Sequence, residues 1–264
     1  MHKKLVLFFV KVRVRPKSGQ KWRAVAAPGL VLRPLVRYNK MKFIWGGACF
    51  ERLVVAVSGP GISAAGIPFH EAAHALVSSW LGDDTAKRAG RLSLNPIRHF
   101  DPLGALCMLL GGVGWAKPVG VNPWKYKNPK VGMAISAAAG PLSNLLLAWG
   151  SMILYKVLFY STAGQAVQPL LILEMLLYDM IVMNLSLAVF NLLPIPPFDG
   201  SRIALLFLPR QLYFRAMRYE RYIMLAVLFL VFMGLLDRPL SIAVNAMWNC
   251  LVDWTGFVEM IMWG

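Results

Sequence analysis

Two histidines and a glutamate lie within five consecutive positions, His70-Glu71-Ala72-Ala73-His74, an HExxH pattern. Residues four apart share one face of a helix, so the two imidazoles can bind one Zn²⁺ ion. Glu71 leans over the same site and can act as general base on a zinc-bound water. Two core histidines, hydrogen-bonded inside a helix bundle, would show the same spacing. The pattern therefore favours a hydrolytic metal site, for which a third protein ligand is needed.

Two residues compete for the place of the third ligand. His99 lies in a basic polar loop beside Arg98, where a histidine that faces solvent or lipid headgroups is the simpler interpretation. Asp199 follows an apolar segment and a proline-rich break, and it precedes Gly200, which lets the backbone turn sharply. Asp199 could also be a helix N-cap, because an apolar run follows it. A carboxylate left there without a cation would be costly, which favours Asp199 as the ligand.

The motif lies in an apolar segment. Within 53–81 its two histidines and its glutamate are the only ionisable residues. The segment is long enough to cross a bilayer, where ionisable groups are costly and usually functional. The whole chain agrees with this setting, because hydrophobic residues make up 58% and charged residues only 15% of it. Three widely spaced cysteines predict neither a disulfide framework nor a thiolate zinc site.

Hydropathy predicts an all-α polytopic membrane protein with about four to six transmembrane helices. The 14 residues 103–116 are too short for a span and favour a re-entrant or strand-like element near the site. The last two apolar runs form either a hairpin or one span with an interfacial helix. The predicted spans cover 53–81, 131–160, 169–193, 222–236 and 240–263.

The net charge of +16 is concentrated at one end. Residues 1–52 hold 13 Lys and Arg but one acid, and we expect them to form a basic N-terminal extension, poorly ordered or lying on the membrane surface. Residues 53–264 then form the domain that carries the motif. A basic excess can indicate nucleic acid, but with this hydropathy the lipid bilayer is the expected partner.

Charge placement also predicts the orientation. Segment 83–130 carries eight Lys and Arg and segment 202–221 carries five, whereas 161–168 carries none. By the positive-inside tendency the two basic segments are cytoplasmic and 161–168 is external. Asp199 then lies on the same side of the membrane as the C-terminal end of the HExxH helix.

Three motifs together resemble the site-2 protease family of intramembrane zinc metalloproteases. They are the HExxH motif, Ala139-Gly140-Pro141-Leu142-Ser143-Asn144 and Asn191-Leu192-Leu193-Pro194-Ile195-Pro196-Pro197-Phe198-Asp199-Gly200. The segments 81–96 and 116–119 are similar to the compact bacterial branch of that family in particular.

The resemblance implies one Zn²⁺ per chain, bound by His70, His74 and Asp199, with Glu71 activating the water. It implies that Asn191 holds the substrate or stabilises the oxyanion, although an amide that only packs between helices would suit that position as well. Further implied parts are a polar position near the site at Asn144 and a strand-like edge that holds an unwound substrate, for which Arg91–Leu94 and Lys117–Val121 are the candidates.

The function implied is an endopeptidase that cleaves transmembrane protein substrates from within a bacterial cell membrane, with its active site near the cytoplasmic side. Substrate choice would come from membrane contacts or from a regulatory membrane partner. Two other interpretations stay open: a membrane metal transporter or sensor that uses the same His/Asp site, and an inactive scaffold that binds transmembrane partners.

Overall fold

The computed structural model describes residues 2–3, 6–9, 66–99, 101–102, 113–117, 119–161 and 168–263. Helices dominate these residues, together with four short strands. The strands are β1 His2–Lys3, β2 Val6–Phe9, β3 Val113–Ala116 and β4 Gly120–Val121. The helices are α1 at 66–80, α2 Thr85–Arg88, α3 Pro129–Ser161, α4 Gln168–Asn191, α5 Asp199–Ala204, α6 Arg210–Arg218, α7 Glu220–Phe232, α8 Asp237–Trp254 and α9 Gly256–Trp263, with short 3-10 turns at Pro96–His99, Pro123–Lys125 and Leu205–Phe207.

The antiparallel pair α3 and α4 forms the centre of the fold. Apolar side chains along both helices meet in a buried cluster that contains Ala148 and Met152 of α3 with Ile181 and Leu185 of α4. Within the described ranges, two helical stretches, Pro129–Ser161 and Ile172–Asn191, are long and apolar enough to cross a membrane. The helices predicted over 131–160 and 169–193 are therefore present, and the all-α prediction agrees with the structure.

The C-terminal apolar runs form shorter helices than the sequence suggests. Helix α7 has 13 residues, fewer than the roughly 20 that cross a bilayer. The run 240–263 is divided at Thr255, whose hydroxyl donates to the carbonyl of Leu251 at 2.8 Å. Lys156 of α3 ties this region to the central pair, because its Nζ lies 2.9 Å from Oε1 of Glu259. The predicted total of four to six spans stays a prediction.

The short strands pair in two antiparallel ladders. β1 pairs with β4 and β2 pairs with β3, so residues from the basic N-terminal segment lie beside strands β3 and β4. Part of the predicted edge Lys117–Val121 is thus a strand. The rest of the predicted extension 1–52 lies outside the described residues, and its boundary stays a prediction.

The strand predicted at Arg91–Leu94 is wrong. The segment is irregular, and it closes a loop in which the guanidinium of Arg91 donates to the carbonyl of Arg98 and that of Arg98 donates to the carbonyl of Gly90 at 3.2 Å. Alternating side chains are not enough to make a strand where no neighbouring backbone pairs with it. Within the segment, the carbonyl of Ser93 lies 2.7 Å from Nε2 of His99 instead of facing a partner strand.

Asp83 joins the end of α1 to strand β4. Its carboxylate accepts hydrogen bonds from the backbone N–H of Thr85 at 3.0 Å and of Asn122 at 2.6 Å, and it lies 3.3 Å from Nζ of Lys125. Burial alone would raise the pKa of Asp83, but the hydrogen bonds from Thr85 and Asn122 and the Lys125 ammonium hold the pKa below its ordinary value. The charged carboxylate therefore stabilises this junction.

Replacing Asp83 with asparagine should lower the thermal unfolding temperature in detergent, with a loss of about 1–3 kcal/mol, because buried donors lose a charged acceptor. A depressed folded pKa adds stability that is present above the unfolded pKa of about 3.9 and is lost as the pH falls through the folded pKa. The difference between wild type and D83N should therefore be full at pH 7 and should shrink below about pH 4. Asp84→Asn is the control, because Asp84 is only partly buried and accepts from Ser79; an equal loss in both variants would contradict the role of Asp83.

Candidate metal site

Helix α1 places two imidazoles side by side. His70 and His74, four residues apart, are each 1% exposed, and their Nε2 atoms lie 3.0 Å apart. Helix α3 packs against this face of α1, where Nδ1 of His74 lies 2.6 Å from the carbonyl oxygen of Ser136. A carbonyl oxygen only accepts, so Nδ1 of His74 is the protonated nitrogen. The Nε2 atom of a neutral His74 ring is then left with a lone pair that can bind a metal.

Asp199 completes the group from a distant part of the chain. Helix α4 ends at Asn191, and α5 begins at Asp199 after a tight turn. The Oδ2 atom of Asp199 lies 3.2 Å from Nε2 of His70 and 3.1 Å from Nε2 of His74. The N-cap residue of α5 is Phe198, and Asp199 is the first helical residue, with its carboxylate directed at the histidines. The structure thus brings the sequence-predicted third ligand into contact with the other two and leaves the capping position to its neighbour.

The donor set fits a tetrahedral metal ion. The three donor atoms form a nearly equilateral triangle with sides of 3.0–3.2 Å. Ligand atoms in a tetrahedral zinc site lie roughly 3.3 Å apart, because each bond is about 2.0–2.1 Å long. Two imidazole nitrogens and a carboxylate oxygen that point at one buried position can hold a cation between them. Two imidazoles and a carboxylate are ligands that Zn²⁺ accepts, and three protein ligands leave a fourth position open.

Gly140 lets α3 approach the ligand triangle. A β-carbon on this residue would lie 2.6 Å from Nε2 of His70 and closer still to Nε2 of His74. Any side chain at this position would therefore occupy the space in front of the donor atoms. The sequence contained this residue in a motif, but the motif did not indicate that it contacts the histidines.

The sequence model of peptidase family M50 matches residues 62–234, more than half of the chain and the part that contains every residue of the ligand triangle. This chain belongs to peptidase family M50. The match confirms the resemblance to the site-2 protease family.

Two relatives carry names that describe a metalloprotease. "Putative zinc metalloprotease YwhC" of Bacillus subtilis is 44% identical over 135 residues, which cover 51% of this chain and 61% of the relative. "Putative zinc metalloprotease MJ0611" of Methanocaldococcus jannaschii is 32% identical over 162 residues, which cover 61% of this chain and 75% of the relative. The chain thus spans less than two thirds of the Bacillus protein. No solved structure matches the chain.

The other residues predicted for an M50 site are also buried. Glu71 is 1% exposed on α1, directly after His70, and Asn191 is 1% exposed at the end of α4. The amide nitrogen of Asn191 donates to the carbonyl of Leu187 at 2.9 Å, so one of its hydrogen bonds stays within its own helix. The roles of Glu71 and Asn191 as base and substrate ligand stay predictions.

His99 lies elsewhere, and its predicted exposure is wrong. The residue is 2% exposed, and its Nε2 atom lies 2.7 Å from the carbonyl oxygen of Ser93. Burial, and after it the charges of Arg91 and Arg98, lower the pKa of His99. Among the described residues, the group that could hold a metal consists of His70, His74 and Asp199 and does not include His99. His99 is instead a buried link within the loop that follows α2.

Gly200 positions Asp199, and a methyl group there should cost metal affinity. A β-carbon on Gly200 would overlap the carbonyl of Leu192 and lie 2.7 Å from that of Leu193, and both are backbone atoms that cannot swing aside. We expect Gly200→Ala to displace Asp199 and to lower zinc affinity about 10–100-fold, measured by metal competition with a chromogenic chelator. Gly256→Ala is the control, because a β-carbon at Gly256 meets no atom within 4 Å. Unchanged affinity in Gly200→Ala would contradict this account of the turn.

Proposed function

We propose that this chain is an intramembrane zinc endopeptidase that hydrolyses peptide bonds in or near the transmembrane segments of membrane proteins. The observation that carries the proposal is the buried triangle of His70, His74 and Asp199 beside two helices of membrane-spanning length. Membership of a peptidase family supports the hydrolytic chemistry. The names of both relatives support zinc as the metal.

Different residues of the site would have different roles in the hydrolysis of the peptide bond. A Zn²⁺ ion held by the triangle would lower the pKa of a water molecule to about 7 and polarise the scissile carbonyl. Glu71 would take the proton of the attacking water and pass it to the nitrogen of the leaving amine. Asn191 would hold the substrate or donate to the oxyanion through its amide. Ser136 would keep His74 in the tautomer that binds the metal, through the hydrogen bond described above.

The proposal includes a location. Helices α3 and α4 would span a bacterial cell membrane in a multi-pass chain, with the ligand triangle towards the cytoplasmic side. The eight Lys and Arg of 83–130 and the absence of any in 161–168 support this orientation. A substrate helix would reach the metal from within the bilayer, and selection among substrates would come from membrane contacts or from a regulatory membrane partner.

The alternative of a metal transporter or sensor is not favoured. The family that matches is a peptidase family, and the matched region contains the whole ligand triangle. A glutamate that acts as a base has a purpose in hydrolysis, whereas transport would not need a proton acceptor directly after a ligand.

The test is cleavage of a single-span test protein in proteoliposomes that contain the purified full chain. We expect cleavage within or next to the span, loss of cleavage after metal is removed with 1,10-phenanthroline, and recovery when zinc is added back. A soluble protein that carries the same cleavage sequence outside a membrane is the control and should be a poorer substrate. The absence of cleavage by the zinc-loaded protein for a panel of single-span proteins would overturn the proposal.

A further inference from the structure

Two buried asparagines on the central helices have unused hydrogen-bonding capacity. Asn144 of α3 is fully buried, and neither its Oδ1 nor its Nδ2 has a hydrogen-bond partner among the described residues. Asn184 of α4 is also fully buried; its Nδ2 donates to the carbonyl of Met180 at 2.8 Å, whereas its Oδ1 has no partner in the same part of the chain. Buried amides without partners are costly, so each one in a native protein needs an explanation such as strain, a bound water or ion, or a role in function.

The packing of α1 on α3 places Asn144 one helical turn from the metal ligands. His74 lies beside Ser136, and a β-carbon on Gly140 would meet both His74 and His70, so α1 and α3 run antiparallel. By ideal helix geometry, one further turn along both helices would bring Asn144 to the level of Gly66. Asn144 also follows Gly140 by four residues and therefore lies on the face of α3 that is turned towards the site.

The packing of α4 places Asn184 at the same level. A β-carbon on Gly66 would lie 3.1 Å from Oδ1 of Asn184. Gly66 thus leaves the main chain of α1 close to this amide, with no side chain between them. With this register, the amide of Asn144 on α3 is expected at the level of Gly66, where the amide of Asn184 on α4 lies. Asn191, which lies two turns further along the same face of α4, continues the row towards Asp199.

The chemistry of this row matches a peptide main chain. An amide side chain offers one acceptor and two donors, the same pairing that a backbone N–H and C=O require. A transmembrane helix that unwinds for cleavage loses its internal hydrogen bonds, and in an apolar environment each freed group needs a new partner. We propose that Asn144 and Asn184 bind the main chain of the unwound substrate one helical turn from the metal ligands. This inference rests on the proposed function and adds to it the residues that hold the substrate's backbone.

The first test replaces each amide by an apolar group of similar volume. Asn144→Leu and Asn184→Leu should keep the zinc content and should unfold at the same or a higher temperature, because a buried polar group without a partner is removed. Their kcat/KM for a single-span substrate should fall about 10-fold each. Asn245→Leu, on the exposed part of α8, should leave all three quantities unchanged. Asn144→Ala and Asn184→Ala give the same readouts if a leucine variant does not accumulate.

The second test identifies the atoms that are bound. Semisynthetic substrates carry a single amide-to-ester replacement at successive positions around the cleavage site, which removes one backbone N–H and weakens one C=O. In the wild type, an ester at the contacted position should lower kcat/KM about 10-fold, and in the leucine variant the same ester should have no further effect.

The inference would be overturned if the effects of the ester and of the leucine substitution on kcat/KM were fully additive at every position. The amides would then bind water or only pack against their neighbours. Loss of zinc from the leucine variants would overturn it too, by assigning the amides to the metal site. If the wild type cleaves no substrate, the proposed function fails; if it cleaves and the leucine variants cleave equally, only this inference fails.

Discussion

Replacing Glu71 with glutamine is expected to slow peptide-bond hydrolysis by about 10²–10⁴-fold, the usual contribution of a general base. Glutamine has the size and shape of glutamate and can keep hydrogen bonds at the same place, but it cannot accept the proton of the attacking water. The ligand triangle does not include this residue, so the zinc content should stay at that of the wild type. The measurement is kcat for a single-span substrate in proteoliposomes, beside the metal content of the same preparation.

The control for this variant is a second buried glutamate. Glu174 is 2% exposed on α4 and lies about 25 Å along the helix from Asn191, so Glu174→Gln removes a buried carboxylate far from the triangle. Its kcat should stay close to that of the wild type. Equal cleavage by Glu71→Gln and the wild type would remove Glu71 from the mechanism and would weaken the peptidase proposal as a whole.

Replacing Gly140 with alanine should strongly weaken metal binding. The added methyl group would lie 2.6 Å from Nε2 of His70 and closer to Nε2 of His74, well inside van der Waals contact. Both rings are buried between α1 and α3, so they cannot move away without separating the helices. We expect zinc affinity to fall by about 100-fold or more, and activity to fall with it. Metal content after dialysis against a chelator, measured by mass spectrometry, tests this result.

A matched glycine on the same helix separates the local clash from a change in helix stability. Alanine is favoured over glycine in a helix by about 1 kcal/mol, and both Gly140→Ala and Gly150→Ala make this gain. A β-carbon at Gly150 meets no atom within 4 Å, so Gly150→Ala should bind zinc and cleave as the wild type does. Wild-type zinc content in Gly140→Ala would mean that the close approach of α3 to the histidines is not needed for metal binding.

The part of the site that sequence could predict is the part that depends on local geometry. His70 and His74 share a face because a helix repeats every 3.6 residues, and this relation needs no knowledge of the rest of the fold. The two long apolar helices followed from composition for a similar reason, since length and hydropathy are properties of a single segment.

Relations between distant segments were visible only in part. Asp199 competed with a capping role until the turn after α4 placed its carboxylate 3.1–3.2 Å from both histidines. His99 looked exposed because its neighbours are basic, yet folding of the loop buries it. The alternation at Arg91–Leu94 looked like a strand, but no strand among the described residues pairs with it.

By itself, then, the sequence determined the HExxH helix, its apolar setting and the candidates for a third ligand, because each depends on residue type and local spacing. Only the tertiary structure decided that Gly140 must lack a side chain, that Ser136 orients His74, and that the amides of Asn144 and Asn184 are buried with atoms that have no hydrogen-bond partner among the described residues. These residues come from α3 and α4, and their effect depends on which faces of the helices meet. Many side chains together determine which faces of α3 and α4 meet the neighbouring helices, so no single sequence motif could predict these contacts.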